Sequence, residues 1–258
     1  DVRLVGAILA NSGKDSGTLL KAGRDISVST VKEEERQERG SGPRNFYSQS
    51  SSREGGSQIA GGGNVTLDAG NNIRIRGSVI DAEGDLAVKA REGDVRIETG
   101  RATVSVDSAS EAKKKGFLSS KTTTQRDSSR EDTATGSTLG GRNIIVSGRD
   151  VTVSGSEIIA DRNASIVARR DLTIEAAQDS RSESAYRGTS QSGLMGSGGF
   201  GFTIGSRSQS TDTRSENTSA MRSTVGSIGG NTTLIAGNRY TQIGSDVVAP
   251  DGDVTIAA

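Results

Sequence analysis

The side chains that could do chemistry are few, because the 258 residues contain neither histidine nor cysteine. The usual neutral-pH general base, the commonest metal ligand and a thiolate nucleophile are therefore missing. Carboxylates remain, and a pair of them in a groove could cleave glycosidic bonds without histidine. Acidic residues are also expected on any polar surface, so they favour no enzyme by themselves. The candidates are Asp68, Asp81, Glu83 and Glu98.

Three other patterns resemble ligand sites. Gly196–Gly201 fits the G-x-G-x-x-G motif, but the strand before it and the helix after it that a dinucleotide site needs are not visible. Lys113–Lys115 could contact anionic lipid or lipopolysaccharide, or form a plain solvated loop. A set of aspartates follows corners of the chain, yet the dense nonapeptide repeat of a calcium-binding β-roll is absent, which favours structural turns. These aspartates are Asp85, Asp94, Asp171 and Asp253.

Composition limits the class of protein. Lys plus Arg and Asp plus Glu each number 32, so the formal net charge is zero. This balance argues against nucleic acid as a partner, because phosphate neutralisation needs a surplus of basic residues. Hydrophobic residues make up 31% and aromatic residues 3%, with 35 glycines and 2 prolines. Such a chain is either partly disordered or builds a thin core from Val, Ile, Leu and Ala.

A repeat organises the sequence. The segment Gly62–Gly70 returns as Gly140–Gly148 and again as Gly229–Gly237. Glycines of one copy recur at a constant offset in the next copy, which indicates a real unit. They are Gly63, Gly70 and Gly77, then Gly141, Gly148 and Gly155, then Gly230, Gly237 and Gly244.

Within each copy apolar and polar residues alternate, as in Val65/Leu67 and Ile73/Ile75, which is typical of strands with one buried face. The runs span about five residues between Gly, Asn or Asp, which suit tight corners. No helical period is visible. We therefore predict an all-β fold, a right-handed parallel β-helix or β-solenoid formed by a single fragment, 1–258, of a longer chain.

Stretches rich in Ser, Thr, Gly and charge interrupt the repeats. Their polarity favours disordered loops, whereas alternation in parts of them favours protruding β-hairpin arms. The predicted organisation is an end of one repeat (1–30), an arm (31–58), a repeat (59–99), an arm (100–137), a repeat (138–176), an arm (177–227) and a partial repeat (228–258).

A family resemblance rests on these motifs. Gly-Gly-Asn-Val-Thr-Leu-x-Ala-Gly, Gly-Ser-x-Ile, Lys113–Phe117 and Gly198–Ser206 together resemble the second class of filamentous haemagglutinin repeat. Such repeats occur in exoproteins of two-partner secretion systems, including contact-dependent growth inhibition toxins and haemagglutinin-like adhesins. The resemblance departs at 31–58, where a charge run from Lys32 to Arg39 replaces the Lys-Gly-Phe motif.

The resemblance implies a non-enzymatic, cofactor-free segment of a large secreted filament. It implies a rigid stalk on the bacterial cell surface, or held in the periplasm before delivery, that serves toxin delivery or adhesion. The implied partners are the outer-membrane transporter of the secretion system and the target cell's outer membrane or a surface receptor, with no nucleic acid. The alternative is a carbohydrate-active β-helix enzyme, either a polysaccharide lyase or a hydrolase.

The large apolar side chains lie on the interruptions, where exposed apolar residues are disfavoured unless they are used. We therefore predict a membrane or partner contact there, although folding back onto the solenoid flank is an equal alternative. The candidate contact residues are Lys113, Lys114, Lys115, Phe117, Leu194, Met195, Phe200, Phe202 and Ile204.

Overall fold

Short strands with one apolar side wind into seven coils around a narrow core. In the computed structural model, which describes residues 1–13, 16–196 and 202–258, every described element is a β-strand. Parallel pairing joins each coil to the next through three rows of strands. We call these rows face A, which begins with β1, face B, which begins with β2, and face C, which begins with β3. The predicted parallel β-helix is confirmed, and the interruptions are β-hairpins rather than loops.

The strands follow one another around the coils in chain order. Coil 1 has β1 (Val2–Val5), β2 (Ile8–Asn11) and β3 (Thr18–Ala22). Coil 2 has β4 (Ile26–Ser29), arm strands β5 (Val31–Gly42) and β6 (Asn45–Gly55), then β7 (Gln58–Gly61) and β8 (Val65–Ala69). Coil 3 has β9 (Ile73–Arg76), β10 (Val79–Ala82) and β11 (Leu86–Ala90). Coil 4 has β12 (Val95–Glu98), arm strands β13 (Gly100–Gly116) and β14 (Ser119–Thr135), then β15 (Thr138–Gly148).

Coil 5 has β16 (Val151–Ser154) and β17 (Glu157–Ala168). Coil 6 has β18 (Asp171–Glu175), arm strands β19 (Ala177–Gly196) and β20 (Phe202–Met221), then β21 (Thr224–Ser227) and β22 (Thr232–Ala236). Coil 7 has β23 (Arg239–Ile243), β24 (Asp246–Val248) and β25 (Val254–Ala257). In each coil the chain runs along face A, then B, then C, and β15 and β17 each turn the corner from B to C.

The core is a set of aliphatic rows along the solenoid axis. On face C, register places one residue of each inner coil directly on its counterpart, and these residues are fully buried. The row consists of Leu67, Val88, Val146, Ile166 and Leu234. Since neighbouring strands lie about 4.8 Å apart, each side chain packs between those above and below it.

Arms and simple corners alternate along one edge of the solenoid, the corner from face A to face B. Coils 2, 4 and 6 insert a hairpin there, whereas coils 1, 3, 5 and 7 turn on a glycine with positive φ. The repeat seen in the sequence is therefore two coils, one with an arm and one without. The glycines are Gly6, Gly77, Gly155 and Gly244.

Each corner glycine that precedes an arm leaves room for that arm. A Cβ at Gly77 would lie 2.9 Å from the Cα of Gly100, the first residue of β13. A Cβ at Gly155 would overlap the Cβ of Ala177, the first residue of β19. Small size and left-handed backbone are therefore both required at these corners.

Buried serines hold the same edge from coil to coil. The backbone N–H of Ser57 donates to Ser78 Oγ (3.1 Å), and the N–H of Ser137 donates to Ser156 Oγ (3.1 Å). The hydroxyls donate in turn to backbone carbonyls, as Ser78 Oγ does to Arg76 (2.7 Å). Because every hydroxyl finds a partner, this polar row avoids the cost of a buried unsatisfied group. The row consists of Ser57, Ser78, Ser137, Ser156, Ser223 and Ser245.

The first prediction concerns the core. Ile97→Ala removes a fully buried side chain and should lower the free energy of unfolding by about 2–4 kcal/mol. Lys114→Ala, on an exposed part of an arm, is the control and should leave it unchanged. Denaturant titration followed by far-UV circular dichroism measures both. Equal losses at the two sites would contradict a core confined to the solenoid.

The second prediction concerns the corners. Gly155→Ala should cost about 1–3 kcal/mol, because alanine disfavours a φ of +52° and its methyl group meets Ala177. Gly23→Ala is the matched control, since a Cβ there would have no neighbour within 4 Å. Thermal melting separates the two variants, and an unchanged midpoint for Gly155→Ala would refute the role of this corner.

Candidate contact site on the arms

The three arms join side by side into one antiparallel sheet of six strands, in the order β20-β19-β14-β13-β6-β5. Ala102 of arm 2 (β13–β14) pairs with Arg53 of arm 1 (β5–β6), and Ser180 of arm 3 (β19–β20) pairs with Asp132 of arm 2. The first strands of the arms contain 12, 17 and 20 residues. At about 3.4 Å per residue they extend roughly 40, 58 and 68 Å, so the sheet lengthens from arm 1 to arm 3.

Charged side chains fix the base of this sheet to the solenoid. Glu54 at the end of arm 1 accepts Arg76 Nη2 from face A (2.9 Å) and the backbone N–H of Arg101 (3.1 Å). Arg101 Nη1 donates to the carbonyl of Gln178 (2.7 Å), which links arm 2 to arm 3. Since the Glu54 and Arg76 side chains are only 20% and 30% exposed, their ion pair is better shielded than those on the open arms.

Beyond the base, polar cross-strand pairs support a sheet that has little apolar cover. Arg181 lies opposite Glu131 across the junction of arms 2 and 3, with an ion pair at 3.8 Å. Arg187 Nη1 donates to Asp127 (2.6 Å), and this bond lowers the pKa of Asp127. Contacts of this kind add a few tenths of a kcal/mol each, so backbone hydrogen bonds between arms are the main support.

At the distal end, some of the predicted contact residues come together. Leu194 pairs directly with Ile204, and strand alternation puts both on the side that carries Lys113 and Lys115. Lys114 lies on the opposite side, where it pairs with Lys121. Ile204 is 78% exposed and Leu194 is half-buried. Folding back onto the solenoid flank, the alternative prediction, is therefore wrong for Ile204.

The turn of arm 2 exposes two adjacent apolar side chains. Phe117 is 93% and Leu118 66% exposed. Leu118 has a φ of +61°, the only positive value at a described residue other than glycine, and such strain is retained mostly where it is useful. The Leu118 carbonyl accepts the N–H of Leu194 (2.9 Å), and a Cβ at Gly193 would overlap that oxygen. Glycine at 193 therefore lets arm 3 reach the turn.

Other predicted residues are only partly described. Met195 pairs with Thr203, and Phe202 pairs with Gly196, at the end of arm 3. Phe200 lies outside the described residues, as does most of Gly196–Gly201. The chain continues from that motif into strand β20, and not into the helix that a dinucleotide site needs.

Sequence reasoning missed three members of this distal region. Leu118 extends the apolar turn, and Lys121 and Arg207 add positive charge. A charge count would have found the basic residues, because residues 112–126 and 184–211 contain no Asp or Glu. The distal end of arms 2 and 3 is therefore both basic and apolar, whereas their bases carry charges of both signs.

Three of the four candidate catalytic carboxylates lie on separate faces of the solenoid. Asp68 lies on face C, where Arg91 Nη2 contacts it at 2.5 Å and lowers the pKa of Asp68. Asp81 lies on face B, Glu83 at the corner that follows, and Glu98 on face A, bound to Arg74. Asp68, Asp81 and Glu98 lie on three different faces, so no two of them can flank one bond as the carboxylate pair of a glycoside hydrolase does.

The aspartates that follow corners have a structural role. Asp85 accepts hydrogen bonds from Asn143 Nδ2 (2.9 Å) and Arg142 Nε (3.1 Å) of the next coil, and both lower the pKa of Asp85. Asp25 accepts the backbone N–H of Asn72 (3.0 Å), the largest of several interactions that together lower the pKa of Asp25. Asp85 therefore connects successive coils, as the turn interpretation predicted, and Asp25, which was not among the predicted turn residues, does the same.

Metal sites and membrane-spanning helices are absent from residues 1–13, 16–196 and 202–258. No group of three or more acidic residues there is arranged to hold a metal ion. No helix in that part of the chain is long and apolar enough to span a membrane.

Comparison with known proteins decides the family to which this arm-bearing solenoid belongs. A profile described as the hemagglutinin repeat matches residues 39–117 and 116–258. The chain belongs to the hemagglutinin repeat family. This confirms the resemblance, and the match covers most of the divergent arm 1. Proteins built from hemagglutinin repeats are secreted exoproteins of the bacterial cell surface, in agreement with the location that the resemblance implied.

Its relatives are very large. The tRNA nuclease CdiA of Escherichia coli is 35% identical over 184 residues, which cover 69% of this chain and 6% of that protein. The 16S rRNA endonuclease CdiA of Enterobacter cloacae is 35% identical over 202 residues, which cover 76% of this chain and 6% of that protein. The deoxyribonuclease CdiA of Yersinia pseudotuberculosis is 41% identical over 111 residues, which cover 43% of this chain and 10% of that protein. The chain thus spans at most about a tenth of these relatives. No solved structure matches it significantly.

The third prediction concerns acid. Asp25 and Asp85 have lower pKa values in the folded chain than in an unfolded one, where Asp titrates near about 3.9. Their stabilisation is therefore complete above the unfolded pKa and is lost as the pH falls through the folded values. The free energy of unfolding of the wild type should decline below about pH 4. The decline should be less steep in the double variant Asp25→Asn/Asp85→Asn. An identical decline in wild type and variant would contradict this.

Proposed function

We propose that this hemagglutinin repeat segment is a non-enzymatic stalk and contact module of a large secreted filament. Its solenoid is the rigid spacer, and its arm sheet presents the distal basic and apolar end to a target cell. This end serves toxin delivery across the target's outer membrane, as in contact-dependent growth inhibition, or adhesion through a surface receptor. The observation that carries the proposal is the joining of three arms into one sheet that stands away from the solenoid.

The relatives support a non-enzymatic role. They are named for cleavage of three different nucleic acids, namely tRNA, 16S rRNA and DNA. A segment that they share with this chain does not account for such different substrates, so the activity is best assigned to other parts of those proteins. We accordingly expect no nucleic-acid binding by this segment, in line with its zero net charge.

The contact surface combines two attractions. Basic side chains approach anionic headgroups or lipopolysaccharide, each contributing about 1 kcal/mol near a charged surface, and apolar side chains bury themselves beneath the headgroups. We propose that the surface includes Lys113, Lys114, Lys115, Phe117, Leu194, Met195, Phe200, Phe202 and Ile204, with Leu118, Lys121 and Arg207 added.

Secretion defines the other partner. We propose that an outer-membrane transporter of a two-partner secretion system exports the filament, and that this segment waits in the periplasm before delivery. A chain that folds coil by coil suits export in an unfolded form, because each coil pairs only with its neighbours.

The fourth prediction tests the contact surface. Changing Lys113, Lys114 and Lys115 to Gln removes about 3 kcal/mol of attraction, which corresponds to roughly 100-fold weaker association. Sedimentation with vesicles that contain lipopolysaccharide measures it. The matched control changes Arg3, Lys21 and Lys89 on the solenoid to Gln and should bind as the wild type does. Equal losses in the two triple variants, or none in either, would refute a distal contact.

Apolar variants complete that test. Phe117→Ser and Ile204→Ser should reduce vesicle association without lowering the melting temperature, because both side chains are exposed. In the parent filament, delivery predicts that these changes reduce killing of target cells while attachment persists. Adhesion predicts that attachment itself falls. Unchanged vesicle association, killing and attachment together would exclude any contact role for the distal end.

A further inference from the structure

Arm spacing along the solenoid matches strand spacing within the arm sheet. Arms leave every second coil, so their bases lie about 9.6 Å apart along the axis, twice the coil spacing. A hairpin contributes two strands, which also occupy about 9.6 Å of sheet width. Neighbouring arms therefore meet without a gap in the sheet, and further arms at the same spacing would extend the sheet at either edge.

Both junctions between arms follow one register rule. Arg53 pairs with Ala102. Arg53 lies two residues before Gly55, the last residue of arm 1, and Ala102 lies two residues after Gly100, the first residue of arm 2. Asp132 pairs with Ser180. Asp132 lies three residues before Thr135, the last residue of arm 2, and Ser180 lies three residues after Ala177, the first residue of arm 3. Residues at equal distance from the solenoid therefore lie opposite each other, wherever one arm ends and the next begins.

The two free edges of the sheet become complementary under the same rule. If a strand like β5 lay beside β20, Arg36 would face Glu216 and Glu38 would face Arg214. Within their own hairpins these four residues directly face serines, namely Ser50 and Ser48 in arm 1 and Ser182 and Ser184 in arm 3. Their ion pairs run along their own strands, between Arg36 and Glu38 and between Arg214 and Asp212 (3.6 Å). Side chains of opposite charge at directly facing positions favour pairing of the strands.

We propose that the outer edge of β20 receives the β5-type strand of an arm carried two coils further along the same filament, so that the arms of successive repeats form one continuous sheet. The receiving edge is the part of β20 next to the solenoid, residues 210–221, because β5 contains 12 residues. The partner is a hairpin whose first strand alternates basic and acidic residues along one side, as β5 does with Lys32, Glu34, Arg36 and Glu38. The relatives, of which this chain spans 6–10%, have the length to hold such repeats.

A second copy stacked end to end does not fit this edge. Coil 7 and coil 1 both lack an arm, so stacking copies would place arm 3 and the next arm 1 three coils apart rather than two. The distance between arm bases equals the width of one hairpin only when coil 7 is followed directly by an arm-bearing coil. This distinction provides a matched pair of tandem chains.

An in-phase tandem chain tests the proposal. Ala257 pairs with Ile235, so Ala258 follows in the row of Ala236 and takes the position that Ala22 has in coil 1. Residues 1–258 followed by residues 23–258 therefore place arm 1 of the second unit two coils after arm 3 of the first. The control joins residues 1–258 to residues 1–258 through a Gly-Arg dipeptide that supplies the corner residues equivalent to 23 and 24, and it places the two arms three coils apart.

Disulfide formation reports the pairing, since the chain has no cysteine of its own. Ser215→Cys in the first unit and Gln37→Cys in the second face each other under the register rule. They should cross-link under mild oxidation in the in-phase tandem and not in the control tandem. Moving the second cysteine to Glu33→Cys, about 13 Å along the strand, should abolish the bond, because a disulfide requires Cα atoms within about 7 Å.

Charge variants and hydrogen exchange complete the design. Arg36→Glu in the second unit should reduce cross-linking, and Glu216→Arg in the first should restore it. Amides of residues 210–221 that point to the free edge of β20 should exchange about tenfold more slowly in the in-phase tandem than in the single chain. If the long tandem aggregates, residues 1–258 followed by 23–99 carry the same arm. Absence of cross-linking and protection in a folded in-phase chain, or equal cross-linking in both tandems, would overturn the proposal.

Discussion

Hydrogen bonding between successive coils, at a spacing of about 4.8 Å, is the constraint on which the rest of the molecule depends. It stacks identical positions of successive coils, so aliphatic rows such as Leu67, Val88 and Val146 form a core without large side chains. It also aligns the polar corners, where buried serines and the Asp85–Asn143 contact connect one coil to the next. A chain with few aromatic residues gains a continuous core in this way.

The same spacing sets the position of the arms. Glycines such as Gly77 and Gly155 turn the corner in the coils without arms and leave space for the first arm residue of the coil above. Hairpins that leave every second coil then meet edge to edge and share backbone hydrogen bonds. Neither side of the arm sheet needs an apolar cover, because backbone hydrogen bonds between the arms support it and the Glu54–Arg76 ion pair anchors its base. Its distal end is consequently free to carry exposed apolar and basic groups.

Much of the fold was predictable from local patterns, whereas the arrangement of the arms was not. Alternation at Val65/Leu67 and Ile73/Ile75 predicts inward residues, and the structure buries all four. The two-coil repeat stayed hidden because Gly77-type corners and arm insertions interrupt different coils. The joining of arms depends on axial spacing, which no single segment encodes. For the same reason Lys113 and Ile204 could be named from sequence, but not their location on one side of a shared sheet.

Hydrogen exchange measured by mass spectrometry tests the central claim, that the three arms form one ordered sheet, most directly. The inner strands β6, β13, β14 and β19 have partners on both sides, whereas β5 and β20 each have a free edge. The account predicts protected amides throughout the inner strands and faster exchange at alternate amides of the two edge strands. Rapid exchange along β13 and β14, equal to that of an unfolded chain, would contradict it.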